Sequence, residues 1–136
     1  MQQETGRRVE AEVKERRRYP RLRCRFRIRF KVIDEATSVR PYRSGVTVDL
    51  SRGGLRFVTD RAVGLGDCLA VHLTIPGRGR IVAALAEVLR TKTVPSQGAG
   101  GRPRVEVGAR FLWSGWHDGE MQREIADFVR EELERR

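Results

Sequence analysis

From Cys24 to Val32 the chain alternates without a break: Cys24, Phe26, Ile28, Phe30 and Val32 are apolar, while Arg23, Arg25, Arg27, Arg29 and Lys31 carry charge. Successive side chains of a β-strand point to opposite faces, so this period of two describes a strand with one face on a core and the other in water. The same rhythm returns in Val46, Val48 and Leu50, in Leu55, Phe57 and Thr59, in Leu69, Val71, Leu73 and Ile75, and in Val105, Val107, Ala109 and Phe111. Between the last two, Ile81 to Leu89 is apolar almost throughout and reads as a strand buried on both faces, although its alanines leave a helix open. Turn residues separate the runs: Asp49-Leu50-Ser51-Arg52-Gly53-Gly54, Gly64 with Gly66, and Pro76-Gly77. Residues 34–44, with Pro41, read as a connection, and Gly98 to Pro103 as a loop.

The C-terminal segment follows another period. After Asp118, placed to cap a helix, Met121, Ile125, Phe128, Val129 and Leu133 recur near helical spacing, with Arg123, Glu124, Asp127, Arg130 and Glu134 facing water. A mainly β fold follows, a small six-stranded antiparallel barrel with a C-terminal α-helix covering one opening. Closing the sheet removes its edges.

At 136 residues the chain is long enough for one domain with a core of its own. Its formal net charge of +10 points to an acidic partner: nucleic acid, a nucleotide or an anionic membrane surface. All of its basic residues but Lys14, Lys31 and Lys92 are arginine, so the placement of charge is more telling than its sum. Cys24 and Cys68 fall in apolar-alternating runs and read as small core residues, not as a disulfide or metal pair. No apolar run opens the chain or approaches the ~18 residues of a membrane span, which leads us to expect a reduced, cytoplasmic setting. His72 and His117 are far apart and lack metal-ligand company. With no nucleophile elbow or P-loop, catalysis is not expected, and no catalytic or metal residue is assigned. Trp113 and Trp116 are expected to seal a barrel end against the helix.

Two short stretches carry chemistry. Arg16-Arg17-Arg18-Tyr19-Pro20-Arg21 gathers guanidinium groups ahead of the first strand. Arginine meets phosphate with two parallel charge-assisted hydrogen bonds and stacks flat on a purine. Pro20 biases Tyr19 away from helix, so Arg17 and Arg21 sit on an extended or turning segment and can close on a ligand from different sides. The second stretch is the Asp49 to Gly54 turn. A carboxylate accepts two hydrogen bonds from a guanine edge, a hydroxyl donates and accepts, and glycine permits positive φ or close ligand approach.

Arg17-Arg18-Tyr19-Pro20-Arg21 resembles the RxxxR element of PilZ domains, and Asp49-Leu50-Ser51-Arg52-Gly53-Gly54 resembles their (D/N)xSxxG element, in the same order and about thirty residues apart. With the Val107-Gly108-Ala109-Arg110-Phe111 strand and the final helix, the resemblance covers residues 15–136, leaving residues 1–14 as a flexible charged arm. It implies a six-stranded barrel of the PilZ type that binds the bacterial second messenger cyclic di-GMP. Arg17 and Arg21 would grip phosphates and stack on guanine, Asp49 and Ser51 would bond a guanine edge, and Gly54 would provide the turn. Arg16 stands where a basic residue in the family is compatible with a stacked ligand dimer. The resemblance further implies a receptor without catalysis or cofactor, acting through an effector protein in trans on motility, exopolysaccharide or virulence. The second reading is a basic barrel binding RNA or single-stranded DNA through Arg23, Arg25, Arg27 and Arg29, and the third a PilZ-like protein-interaction adaptor without ligand.

Overall fold

The computed structural model describes residues 19–33, 41–95, 103–113 and 118–136. The arm at 1–14, Arg16, Arg17, most of the 34–44 connection, the glycines of the 98–103 loop, Trp116 and His117 lie outside them. The period-two segments become antiparallel strands: β1 (Leu22–Arg23), β2 (Arg27–Val32), β3 (Arg43–Leu50), β4 (Gly54–Thr59), β5 (Cys68–Thr74), β6 (Ile81–Val94) and β7 (Arg104–Phe111). They run in the order β3-β2-β5-β6-β7-β4, and β4 pairs back onto β3 to close a six-stranded barrel; β1 is a two-residue extension beside β3. The helix, α1 (Asp118–Arg135), follows β7. Six closed strands and one C-terminal helix are what the patterning predicted.

The barrel is filled by the inward residues of each strand. Ile28 and Phe30, Leu55 and Phe57, Leu69, Val71 and Leu73, and Val107 are buried, with the Phe30 and Phe57 rings 5.0 Å apart. Each such side chain contributes about 1.5–3 kcal/mol on burial. Ile125, Phe128 and Val129 of α1 complete the core, Phe128 meeting Phe26 edge-on at 6.2 Å. Arg78, in the turn between β5 and β6, spreads its guanidinium between Glu124 at 3.1 Å and Glu131 at 2.6 Å, fastening the helix to that hairpin.

Three expectations change. The first alternating run is interrupted at residues 24–26, where β1 and β2 separate; there three residues face only Thr47 and Val48 of β3. Val46, Val48 and Leu50 do not share a face. Val46 pairs with Val58 on the outer surface, Leu50 pairs with Leu55 in the core, and the register slips between Thr47 and Asp49, leaving Val48 as a β-bulge. Gly45 and Thr47 take the inward places instead, Gly45 because a Cβ there would meet the Phe57 ring at 2.8 Å. Finally, β6 is buried on one face only: Val82, Ala84, Ala86 and Val88 point inward, while Ile81, Ala83, Leu85 and Leu89 are exposed. A continuous apolar run resembles two-sided burial, but a barrel strand has one interior side.

Thr47 is a polar group in an apolar interior, and its bonds explain why. Its Oγ1 accepts from the Phe26 N–H at 2.9 Å and donates to the Cys24 carbonyl at 3.0 Å, serving backbone left without ladder partners where β1 and β2 part. Thr47→Val keeps the shape and removes those bonds. It should cost about 1–3 kcal/mol in urea unfolding with the m value unchanged, and Thr47→Ser, which keeps the hydroxyl, should lose much less. A Thr47→Val midpoint equal to the parent's would show that water serves this backbone equally well.

Candidate functional site

Two bulges decide what reaches the outer surface. The bulge at Val48 turns Asp49 outward, opposite Arg56 of β4. A second register slip, between Val88 and Arg90, leaves Leu89 as the extra residue and turns Arg90 outward, opposite Gly108 of β7. Because Arg56 is also the partner of Gly108, one row runs across four strands: Asp49, Arg56, Gly108, Arg90. Bulges re-aim side chains in this way, at a local cost in pairing. Gly108 leaves room for its neighbours, since a Cβ there would lie 3.7 Å from Arg90 Cβ and 3.9 Å from Arg56 Cγ.

Asp49 is 5% exposed, deep enough that its carboxylate needs a partner. Arg56 supplies it, donating from Nε to Oδ2 at 2.7 Å and from Nη2 to the same oxygen. The hydrogen bond to Asp49 holds the Arg56 guanidinium above its ordinary pKa. A weaker approach to Glu106 at 3.9 Å steadies the other side.

The turn after β3 is built by Ser51. Its Oγ accepts from the Gly53 and Gly54 N–H groups, each at 3.2 Å, while the Ser51 N–H donates to the Gly54 carbonyl at 2.9 Å. This hydroxyl therefore does backbone work before any ligand arrives. Gly54 has no positive φ, so turn conformation is not why glycine stands there. Instead, a Cβ at Gly54 would collide with the Ala109 carbonyl oxygen and lie 3.1 Å from Arg110 Cα, both backbone of β7. Trp113 anchors the same turn by donating Nε1–H to the Arg52 carbonyl at 2.8 Å, with its ring 4.9 Å from that of Phe111. The expected seal of the barrel end by Trp113 is thus a fastening of the turn.

The two sequence stretches meet here. Tyr19 lies against the turn, with its ring 5.4 Å from the Arg52 guanidinium carbon and close enough to Gly53 that a Cβ would sit 3.0 Å from Tyr19 Cδ2. Tyr19, Arg21, Asp49, Ser51, Gly53 and Gly54 line one open cleft of about 640 Å³, whose other wall is Arg56, Leu89, Arg90, Gly108 and Arg110. That volume falls within the roughly 300–1,000 Å³ of small-molecule sites. Of the expected residues, Arg21, Asp49, Ser51 and Gly54 come together; Arg16 and Arg17 lie outside the described residues.

Sequence reasoning missed Arg56, Arg90 and Arg110 as site residues. Arg56 was within reach: if Leu50 pairs with Leu55 across the turn, Asp49 pairs with Arg56, opposite charges face to face. Arg110 occupies an outward position of β7, where its Nε donates to Glu87 at 2.7 Å. Arg90 was hidden, because the bulge at Leu89 reverses the parity that counting would assign. The site holds arginines from four segments and no group of three or more metal-ligating side chains among the described residues.

Fold and site together define a small closed β-barrel with an arginine-lined cleft on its outer face. The chain belongs to the PilZ domain family, which its sequence matches over residues 15–129. Among solved structures it is similar to the PilZ domain of YcgR from Escherichia coli with c-di-GMP, at 20% identity and a TM-score of 0.62, covering 88% of this chain and 96% of that one. It is also similar to the Bacillus subtilis inhibitor of motility MotI/DgrA, at 17% identity and a TM-score of 0.61, covering 89% of this chain and 53% of that one. The MrkH–c-di-GMP complex of K. pneumonia matches at 15% identity and a TM-score of 0.65, covering 88% of this chain and 53% of the other. The chain thus spans about half the length of MotI/DgrA and MrkH, and at these identities the likeness shows the fold. A comparison with curated protein sequences found no match.

The glycine pair offers a direct check. Gly54→Ala should push β4 and β7 apart and cost more than about 2 kcal/mol, in the range of severe backbone clashes, whereas Gly53→Ala displaces only the edge of the Tyr19 ring. Thermal melts of the two variants should separate clearly, Gly54→Ala the lower. Equal melting points would contradict the close approach of β7.

Proposed function

We propose that this protein is a non-enzymatic receptor for cyclic di-GMP that works in the cytoplasm by presenting a changed surface to an effector protein in trans. The observation that carries the reading is the meeting of Tyr19 and Arg21 with Asp49, Ser51 and Gly54 in one cleft, far apart in sequence and joined by the closed barrel. A doubly anionic dinucleotide suits the walls: Arg21 and Arg17 take the phosphates and stack on guanine, and Arg90 and Arg110 add positive potential. Arg16 adds charge compatible with a second, stacked ligand molecule. Asp49 meets the guanine edge through Oδ1, since both Arg56 contacts fall on Oδ2. Ser51 contributes chiefly by fixing the turn. Residues 15–136 form the receptor domain in this reading and 1–14 its arm. The YcgR and MrkH structures to which this chain is similar hold the same dinucleotide.

The nucleic-acid reading has less support. It requires Arg23, Arg25, Arg27 and Arg29 to act as one stripe, yet that stripe is divided. Arg29 and Lys31 lie over the Tyr42 ring at 5.3 and 5.0 Å, while Arg23 and Arg25 line a separate cleft.

Isothermal titration tests the receptor. Arg17→Ala or Arg21→Ala should weaken cyclic di-GMP binding at least tenfold, about 1.4 kcal/mol, since a hydrogen bond to a charged group is worth about 1.5–3 kcal/mol. Arg21 is exposed, so its variant should melt as the parent does. Unchanged affinity in both variants would remove the assigned site, and no heat from the parent protein would leave the ligand-free adaptor.

Base choice is a separate matter. Asp49→Ala should lose the preference for cyclic di-GMP over cyclic di-AMP, because adenine carries an acceptor at N1 where guanine carries a donor. If the variant discriminates as well as the parent, another group reads the base.

A further inference from the structure

A larger cleft, about 720 Å³, lies beside the dinucleotide site on the outer face of the barrel and takes no part in it. Its floor is aliphatic: Val46 of β3 and Val58 of β4 are register partners, Val48 is the bulged residue beside them, and Cys24 borders them. Burial pushes the Cys24 thiol above its ordinary pKa, opposed in part by the hydrogen bond with Thr47, so at neutral pH the floor carries no thiolate. The rim is Arg23, Arg25, Arg104 and Arg136, arriving from β1, the 24–26 segment, β7 and the end of α1. Arg136 is held in place by donating Nη2–H to the Arg23 carbonyl at 2.7 Å.

Among the described residues, none of these four guanidinium groups has a carboxylate partner, although other surface arginines do: Arg56, Arg61, Arg78, Arg80, Arg110, Arg130 and Arg135 each pair with an acid. Asp49, the register partner of Arg23, and Glu106, that of Val58, are the acids brought close by pairing, and both turn to Arg56 instead. The valines at the bottom are half-buried. Four like charges around an apolar floor repel one another, and an occupant carrying carboxylates relieves that repulsion while covering the valines.

We propose that this cleft docks an extended segment of a partner protein in which acidic and aliphatic residues alternate. Each part of the description has its reason. The floor offers no aromatic ring, so it gives nucleic-acid bases nothing to stack on, and a peptide with aliphatic side chains fits better. β3 is bonded on both sides, to β1 and β2 and to β4, so no strand can add alongside it and recognition on this floor comes through side chains. An extended peptide repeats its side chains on one face about every 6.6 Å, close to the spacing of alternate strand residues such as Val46 and Val48. Aliphatic residues then settle on the valines and carboxylates reach the arginine rim. This surface goes beyond the receptor reading and does not depend on it, because none of its residues lies in the dinucleotide cleft.

The test uses the full chain, labelled with nitrogen-15, and three probes: a synthetic peptide of alternating glutamate and leucine, a glutamate homopolymer of the same length, and an oligothymidine of matched charge. The alternating peptide should shift the amides of Cys24, Val46, Val48 and Val58 and bind at least fivefold more tightly than either control. Arg23→Glu with Arg104→Glu should weaken it at least tenfold. Val48→Ser should weaken it too while leaving the amide spectrum dispersed, and Arg21→Ala should leave it unchanged. Equal binding of the glutamate homopolymer would reduce the surface to diffuse charge attraction and overturn the proposal. So would preference for the oligothymidine, or amide shifts elsewhere in the protein. Because Arg21→Ala affects only dinucleotide titrations, failure of one idea is separable from failure of the other.

Discussion

A closed barrel of alternating strands has a rigid rule: one residue in, the next out, on every strand. The candidate site of this protein depends on breaking that rule twice. At Val48 and at Leu89 an extra residue reverses the parity of a strand, and each reversal delivers a charged side chain, Asp49 or Arg90, to the outer row that Arg56 and Gly108 share. Without the first bulge, Asp49 would point into a core packed with Phe30 and Phe57, where a carboxylate without partners costs several kcal/mol. With it, the core receives Leu50 and the surface receives the carboxylate. Loss of ladder pairing at residues 24–26 accompanies the change, and Thr47 offsets it by bonding the stranded backbone.

That dependence sets what can be read from the sequence. Strand number, order of elements and the terminal helix were legible because they rest on periodicity sustained over many residues. The two motifs were legible because each is local: the Asp49 to Gly54 turn needs only its own residues and the β7 backbone behind Gly54. Which face a residue occupies beyond a bulge was not legible. Val46, Val48 and Leu50 look like one apolar face, and Arg90 looks like an inward position in an apolar strand; both impressions follow from assuming an unbroken period. Leu85 and Leu89 misled for another reason, since apolar residues remain on the outside of β6 and mimic a strand buried on both sides.

Charge tells the same story at longer range. A net +10 on one small domain is a standing repulsion, and the protein reduces it by pairing. Arg78 bridges two helix carboxylates, Arg110 meets Glu87, and Arg56 neutralises Asp49. The pairings are uneven. Arg21 and Arg90 in one cleft, and Arg23, Arg25, Arg104 and Arg136 in the other, have no ion pair among the described residues, so positive potential gathers in the two concave parts of the outer face of β3 and β4. Concave, partly desolvated positive surface attracts anions more strongly than the same charge spread over a convex one.

The cleft proposed for the dinucleotide is also unequal in its two halves. Its turn side is finished before a ligand comes: Ser51 saturates the Gly53 and Gly54 N–H groups, Trp113 pins the Arg52 carbonyl, and Arg52 Nε donates to Gln122 of α1 at 3.0 Å. Asp49 is likewise fixed by Arg56. Such groups lose little freedom on binding, so their contacts count almost in full. The opposing side is an exposed arginine on the segment that leads into β1. Immobilising a long side chain of that kind costs up to about 2 kcal/mol. Tyr19, already seated on Arg52 and Gly53, limits how far the backbone of that segment can stray. In the proposed receptor the entropic cost of gripping a ligand on this side would therefore fall on the side chain of Arg21, whose neighbour Leu22 opens β1 and pairs with Leu50 of β3, next to Asp49.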